Sequence, residues 1–216
     1  MASAARQSPV FFEAAPESTE ARDGWDIVLR YQEEGDGPWV VDLSHLPRWD
    51  LQDGDLMRFR SAGIDIPEPI GKSAVNINEG VAVSRVNRSQ AGIWHLAPGG
   101  PEIPRDAAFT DLRESTLCLA VFGKSALGLS EKISRLDLAG PDHEPPCMLQ
   151  GPIGGVPCQV VLLGGQAGVE GFVFACARGY GRDMARVVMD AGRSSGLHPA
   201  GERRFLEWMD ALRRHV

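Results

Sequence analysis

Val41-Asp42-Leu43-Ser44, running on to Gly54, and Thr110-Asp111-Leu112-Arg113, running on to Gly123, are two copies of one phrase. From Asp42 to Asp111 the offset is 69 residues, and in each copy the glycine stands twelve positions after the aspartate. The segment after each glycine reads as a helix, over Asp55 to Phe59 and over Lys124 to Leu136. A strand, a turn, a second strand and a helix, laid down twice, predict an α+β protein. Its two pseudo-repeated halves are each an antiparallel sheet carrying helices.

Working outward, Pro98-Gly99-Gly100-Pro101 with Pro104 marks the boundary between a first half, 25–104, and a second, 105–216, intertwined with it. Residues 1–24, rich in Ala, Glu, Ser and Pro, read as a flexible arm without a core of its own. The first half opens on Trp25 to Leu29, which a turn at Glu33 to Gly37 joins to Trp39 to Leu43 as a hairpin. Ile64 to Gly71 alternates prolines with apolar residues and is read as irregular, because proline removes a donor and restricts its predecessor. Strands come next at Gly80 to Val86 and Gly92 to Leu96. The second half gives strands at Ala107 to Leu112 and Thr116 to Phe122, then a hairpin of Pro157 to Leu163 with Gly171 to Cys176. Two amphipathic helices close the chain. In Arg182 to Ala191 the apolar positions are Met184, Val187, Val188 and Ala191, and Gly192 supplies the stop; in Glu202 to Arg214 they are Phe205, Trp208, Met209 and Leu212.

Composition excludes several classes of function. With 216 residues, 43% hydrophobic, the chain is long enough for a substantial core. A net charge of −7 and a pI near 5.3 leave no basic stripe for nucleic acid or an anionic membrane surface. No apolar run has the length of a bilayer span and the start has no secretory signal, so the expected place is the cytoplasm. Cys118, Cys147, Cys158 and Cys176 form no CxxC pair and read as buried thiols; the five histidines form no HxH or HxxxH, and no metal site is expected. Gly71-Lys72-Ser73 and Gly123-Lys124-Ser125 end like phosphate-binding loops, yet the glycine that motif needs five residues earlier is Ile66 in one and Cys118 in the other.

Three segments carry a resemblance. Asp42-Leu43-Ser44-His45-Leu46 with Gly54-Asp55 is similar to the opening strand and glycine turn of the glycine cleavage T-protein family. Thr110-Asp111-Leu112 to Gly123-Lys124-Ser125-Ala126 is similar to its second copy. Gly165-Gln166-Ala167-Gly168-Val169-Glu170-Gly171-Phe172 resembles the family's GYTGEDGFE turn; further on, Asp190-Ala191-Gly192 and Gly196-Leu197-His198-Pro199-Ala200-Gly201 resemble its "LLEAG…GLxPAG" close. Residues 40 to 206 are covered in order. The superfamily includes the small gamma subunit of heterotetrameric sarcosine oxidase, which the chain resembles most in size.

The resemblance implies a folate-binding fold without the further β-rich C-terminal domain that catalytic T-proteins carry. It implies tetrahydrofolate as the ligand, and Asn76, Asn78, Arg85 and Glu170 as the residues of its pocket. In the family's LNEDGGxxDD motif a carboxylate orients the folate nitrogen; here the stretch is Asn76-Ile77-Asn78-Glu79-Gly80-Val81-Ala82-Val83-Ser84-Arg85, and Val83-Ser84 stand where the acidic pair would be. Neither can stabilise a developing cation or accept a proton. The family's folate-gripping glutamate falls on Val169, with Glu170 one residue along and so on the opposite face of a strand. The expectation is therefore an accessory, non-catalytic member in one-carbon or methylated-amine metabolism, with no catalytic residue assigned. Its partners would be the subunits of a flavin-dependent oxidase. The second reading is a tetrahydrofolate-dependent aminomethyltransferase whose acid is relocated to Asp65, Glu68 or Glu79. A third is a protein that has lost folate and binds a lipoylated carrier.

Overall fold

The structure is a computed structural model describing residues 6–215, so the first five residues of the expected arm lie outside it. In chain order the strands are β1 (Pro16–Arg22), β2 (Trp25–Tyr31), β3 (Trp39–Asp42), β4 (Arg48–Gln52), β5 (Arg60–Ser61), β6 (Ile64–Asp65), β7 (Ser73–Asn76), β8 (Val81–Arg85), β9 (Gln90–His95), β10 (Phe109–Asp111), β11 (Thr116–Phe122), β12 (Cys147–Ile153), β13 (Val156–Gly164), β14 (Gly171–Ala177) and β15 (His198–Pro199). Helix α1 (Ala126–Ile133) comes after β11, α2 (Gly181–Gly192) precedes β15 and α3 (Glu202–Arg213) succeeds it. The fold is mixed α+β with several antiparallel sheets and few helices. No helix among the described residues is long and apolar enough to cross a membrane.

Two sheets make the body. One has the order β12-β13-β14-β11-β3-β15, the other β10-β4-β9-β8-β7. Alternation along the strands sends side chains to two faces. On the six-stranded sheet Leu117, Leu119, Val160, Leu162, Phe172 and Phe174 face α1 and α2, which add Leu129, Met184 and Val188. Its other face, with Val41, Ala120, Val161 and Val173, meets Ala82, Val86 and Trp94 of the five-stranded sheet, and Phe205, Trp208 and Leu212 of α3 close the end of that layer. The outer face of the five-stranded sheet, with Trp49, Leu51, Val83 and Ile93, is covered by Leu56, Ile66, Phe59 and Ile64 from the irregular connection. Each fully buried Phe or Leu in these layers contributes roughly 1.5–3 kcal/mol through area removed from water.

The repeated phrase sits where the chain changes sheets. From β3 to β4 it passes out of the six-stranded sheet; from β10 to β11 it passes back, with β3 paired antiparallel to β11 and β4 to β10. At both crossings the aspartate accepts from the amide two residues on, Ser44 N–H to Asp42 and Arg113 N–H to Asp111, each at 2.9 Å. Both leucine amides then donate across, Leu43 N to Cys118 O and Leu112 N to Arg48 O. This is the Asx turn that the aspartate side chain makes. Arg48, 1% exposed, fills the crossing: its guanidinium donates to Leu43 O, Leu46 O, Ser44 O, Thr116 O and Thr116 Oγ1. Among the described residues no carboxylate pairs with it, and burial lowers its pKa from the usual arginine value.

Several sequence expectations change on the structure. Residues 6–24 are built in: Val10 and Phe12 are buried in the main core, and β1 pairs with β2 through Asp23 (φ 52) and Gly24 (φ 82), a two-residue turn with both φ positive. The polar sequence of β1 hid it, because its exposed face contributes nothing to an apolar pattern. With β1 as its partner, β2 does not pair with β3, which lies instead between β11 and β15. The segment Asp55–Phe59 is one 3-10 turn, Leu56–Arg58, since only Leu56 has a core position to fill. Helix α1 is shorter than Lys124 to Leu136, beginning after Ser125 at φ 70 and ending where Ser134 Oγ turns to donate to Pro152 O. Gly192 is not the stop: a Cβ there would lie 2.4 Å from Leu197, and the left-handed position is Gly196 at φ 72. The hairpin of β13 with β14 is as expected, in register from Gln159 opposite Ala175 to Leu162 opposite Phe172, with a one-residue shift before Gly164 meets Gly171.

Candidate functional site

The four residues implied by the resemblance sit on different surfaces. Asn76, at the end of β7, donates from its side chain to Ala62 O at 3.2 Å and accepts from Glu79 N–H, so it ties the β5–β6 turn to the outer face of the five-stranded sheet. Arg85 is on the same sheet and donates to Asn87 O and Arg88 O, bracing the turn into β9. Asn78 is exposed in the β7–β8 turn. Glu170 lies just before β14 of the other sheet, where its carboxylate accepts from Ser125 N–H at 2.8 Å at the start of α1. There it satisfies a helix N-terminal amide and complements the helix dipole. Asn76 and Arg85 thus share a sheet face, and Glu170 lies beyond the layer that separates the sheets. Val83 is fully buried and Ser84 is locked by a 2.7 Å hydroxyl contact with Ser73. Of the acids weighed for a relocated role, Asp65 pairs with Arg60 at 2.7 Å, and Glu68 and Glu79 are exposed.

Converging polar groups are found elsewhere, at the N-terminus of α3. Glu202 is 2% exposed and accepts from His45 Nε2 at 2.7 Å and from both terminal nitrogens of Arg22 at 3.0 Å. Arg22 also grips Glu20 with two bonds, and its bonds to Glu202 and then to Glu20 raise its pKa above the usual arginine value. Burial pulls the Glu202 carboxyl up, but the hydrogen bonds from His45 and Arg22 outweigh it and hold it below the usual glutamate value. The ionised carboxylate accepts a hydrogen bond from Nε2–H, which leaves Nδ1 as the other ring nitrogen. Nδ1 makes no hydrogen bond among the described residues. Next to this cluster Glu34 accepts from Tyr31 N–H and Gly201 N–H and pairs with Arg204, fastening β2 to the first turn of α3.

His45 lines two cavities at once. One of about 520 Å³ is bounded by Arg6, Arg22, Arg113 and the Pro98-Gly99-Gly100-Pro101 loop. Its arginines are already neutralised, Arg6 by Glu114, Arg22 by Glu202 and Arg113 by Asp111. The other, of about 200 Å³, lies between the N-terminal segment and β2. Asn76, Asn78, Arg85 and Glu170 line neither. Sequence reasoning missed this centre because His45 and Glu202 are 157 positions apart. The available signal was a glutamate at the first position of an amphipathic helix after Pro199-Ala200-Gly201. Among the described residues no group of three or more His, Cys, Asp or Glu could hold a metal ion.

Two solved structures share this architecture. A heterotetrameric sarcosine oxidase from Corynebacterium sp. U-96, in complex with pyrrole 2-carboxylate, contains a chain that matches with a TM-score of 0.56 and 15% identity, over 72% of this chain and 83% of that one. The glycine cleavage system aminomethyltransferase T from Bartonella henselae matches with a TM-score of 0.52 and 17% identity, over 92% of this chain and 58% of that one. The fold is therefore the one these proteins share, as the repeated phrase and the glycine-rich close implied. No protein-family model matches the chain, and no curated protein matches its sequence.

Proposed function

We propose that this protein is an accessory, non-catalytic relative of the aminomethyltransferases that works as a subunit of a hetero-oligomer in one-carbon or methylated-amine metabolism. The observation that carries the reading is the pair Val83-Ser84. Where the resemblance calls for a carboxylate, one side chain is a core valine and the other a serine held by Ser73. A neutral, buried pair supplies no charge to orient an amine or stabilise an iminium. The hetero-oligomeric setting is supported by the fold shared with a chain of the heterotetrameric oxidase. The repeated phrase, two sheet-switching crossings built alike, fits an ancient duplication into two halves.

Tetrahydrofolate is the ligand the resemblance implies, and Asn76, Asn78, Arg85 and Glu170 are the positions it would use. Their local bonds to Ala62, Asn87, Arg88 and Ser125 account for three of them without a ligand. The test is twofold: aminomethyl transfer to tetrahydrofolate by the purified chain, and co-expression with the other subunits of a heterotetrameric flavin-dependent oxidase. No turnover and a stoichiometric complex are expected. Turnover abolished by Glu79→Gln would establish the relocated-acid transferase instead.

A further inference from the structure

The smaller cavity is more specific than its size indicates. Its lining includes Phe12, Trp25 and Tyr31, the acidic residues Asp42 and Asp26, Ser8 and His45; no lysine or arginine contributes to it. Phe12 and Tyr31 meet at 77° with centroids 6.4 Å apart, forming two walls nearly at right angles. Asp42 is oriented from both sides, accepting from Ser44 N–H and from the Ser8 hydroxyl. Tyr31 is 8% exposed and the His45 side chain 7% exposed, and neither Tyr31 Oη nor His45 Nδ1 makes a hydrogen bond among the described residues, each atom keeping some contact with solvent. Burial and the negative charges of Asp42 and Glu34 raise the Tyr31 pKa, in keeping with a cavity at negative potential. Arg178 already stacks on Trp25, 5.5 Å from the ring.

We propose that this cavity binds a small alkylated ammonium ion, with Asp42 as its counter-ion, the Phe12 and Tyr31 rings as its walls, and Tyr31 Oη as an acceptor for any N–H it carries. An ammonium bearing methyl groups is the chemistry this lining favours. Its charge is attracted to π faces and to a partly desolvated carboxylate, and its methyls displace water from apolar surface. A free carboxylate ligand is disfavoured, since it would meet two aspartates.

The proposal goes beyond the accessory role and fails independently of it, because ligand binding is read on the isolated chain without partner or folate. Tetramethylammonium chloride is titrated into the protein at constant ionic strength and followed by ligand-observed NMR, with tert-butanol as the neutral probe of similar shape. Saturable tetramethylammonium binding is expected, with tert-butanol weaker by about ten-fold or more. Asp42→Asn should weaken the cation by about ten-fold and leave tert-butanol unchanged, and Phe12→Leu should weaken the cation several-fold. If Asp42→Asn does not fold, Phe12→Leu decides. Equal affinity for the two probes, no saturation at about 100 mM cation, or unchanged cation binding in folded variants would overturn the proposal.

Discussion

Replacing Arg48 by methionine tests whether the crossing between the two sheets is held by one buried guanidinium. Methionine keeps the apolar stem and much of the volume, so the substitution chiefly removes donors. Arg48 serves four carbonyl oxygens and the Thr116 hydroxyl. Leu43 O keeps a second partner in Leu46 N–H, but among the described residues no other backbone donor reaches Leu46 O or Ser44 O. Stranding two buried carbonyls costs about 1–3 kcal/mol each, and removing an expensively desolvated cation returns part of that. The net loss expected is about 3 kcal/mol, or roughly 6–12 °C in melting temperature for a chain of this length. Urea unfolding followed by circular dichroism measures it, with Thr116→Val as a companion expected to lose about 1 kcal/mol. A loss below about 1 kcal/mol in Arg48→Met, with an unchanged denaturant slope, would show that the crossing is held by the strand ladders alone.

Other perturbations address the buried titratable groups. His95, 3% exposed with Nε2 unpartnered, has its pKa lowered to about 4 by burial and then by the Arg113 charge. The unfolded chain therefore binds a proton near pH 6.5 that the folded one refuses until about pH 4. His95→Leu should leave neutral-pH stability unchanged or higher and remove up to about 3 kcal/mol of acid destabilisation between those values, read as stability against pH. Glu202→Gln should cost about 2–4 kcal/mol at pH 7, since Arg22 and His45 lose the ionised partner they share. The folded carboxyl sits below its unfolded value, so that difference should shrink as the pH falls through the folded pKa, which thermal melts at neutral and at acid pH would register. Glu170→Ala should cost only about 0.5–1 kcal/mol, the worth of one partly exposed contact to a helix N-terminal amide, and a larger loss would assign it a further partner.

The strands that carry the body were legible where one face is apolar, as in Thr116 to Phe122 and Gly171 to Cys176, and the repeated Asp-Leu phrase marked the two sheet crossings. Pairing was less legible. Alternation along Trp25 to Leu29 says which face is buried and nothing of which strand lies alongside, so a hairpin with β3 is the simplest reading of the sequence, where the structure has the polar β1. Length failed where propensity met tertiary demand: Asp55 to Phe59 has one fully buried apolar side chain, too few to sustain a helix against the cost of nucleating one. The His45, Glu202 and Arg22 cluster was illegible because its members come from a crossing, a helix start and the end of a polar strand. Only folding makes them neighbours.

Whether the isolated chain holds folate is the question on which the accessory role turns. Calorimetric titration under reducing conditions with tetrahydrofolate and its 5-formyl derivative, with Glu170→Ala alongside, tests it most directly. An accessory chain should give no saturable heat up to about millimolar ligand, which corresponds to binding weaker than about 4 kcal/mol, and no difference between wild type and variant. Micromolar binding that Glu170→Ala weakens would contradict that role and return the protein to the folate-dependent transferases.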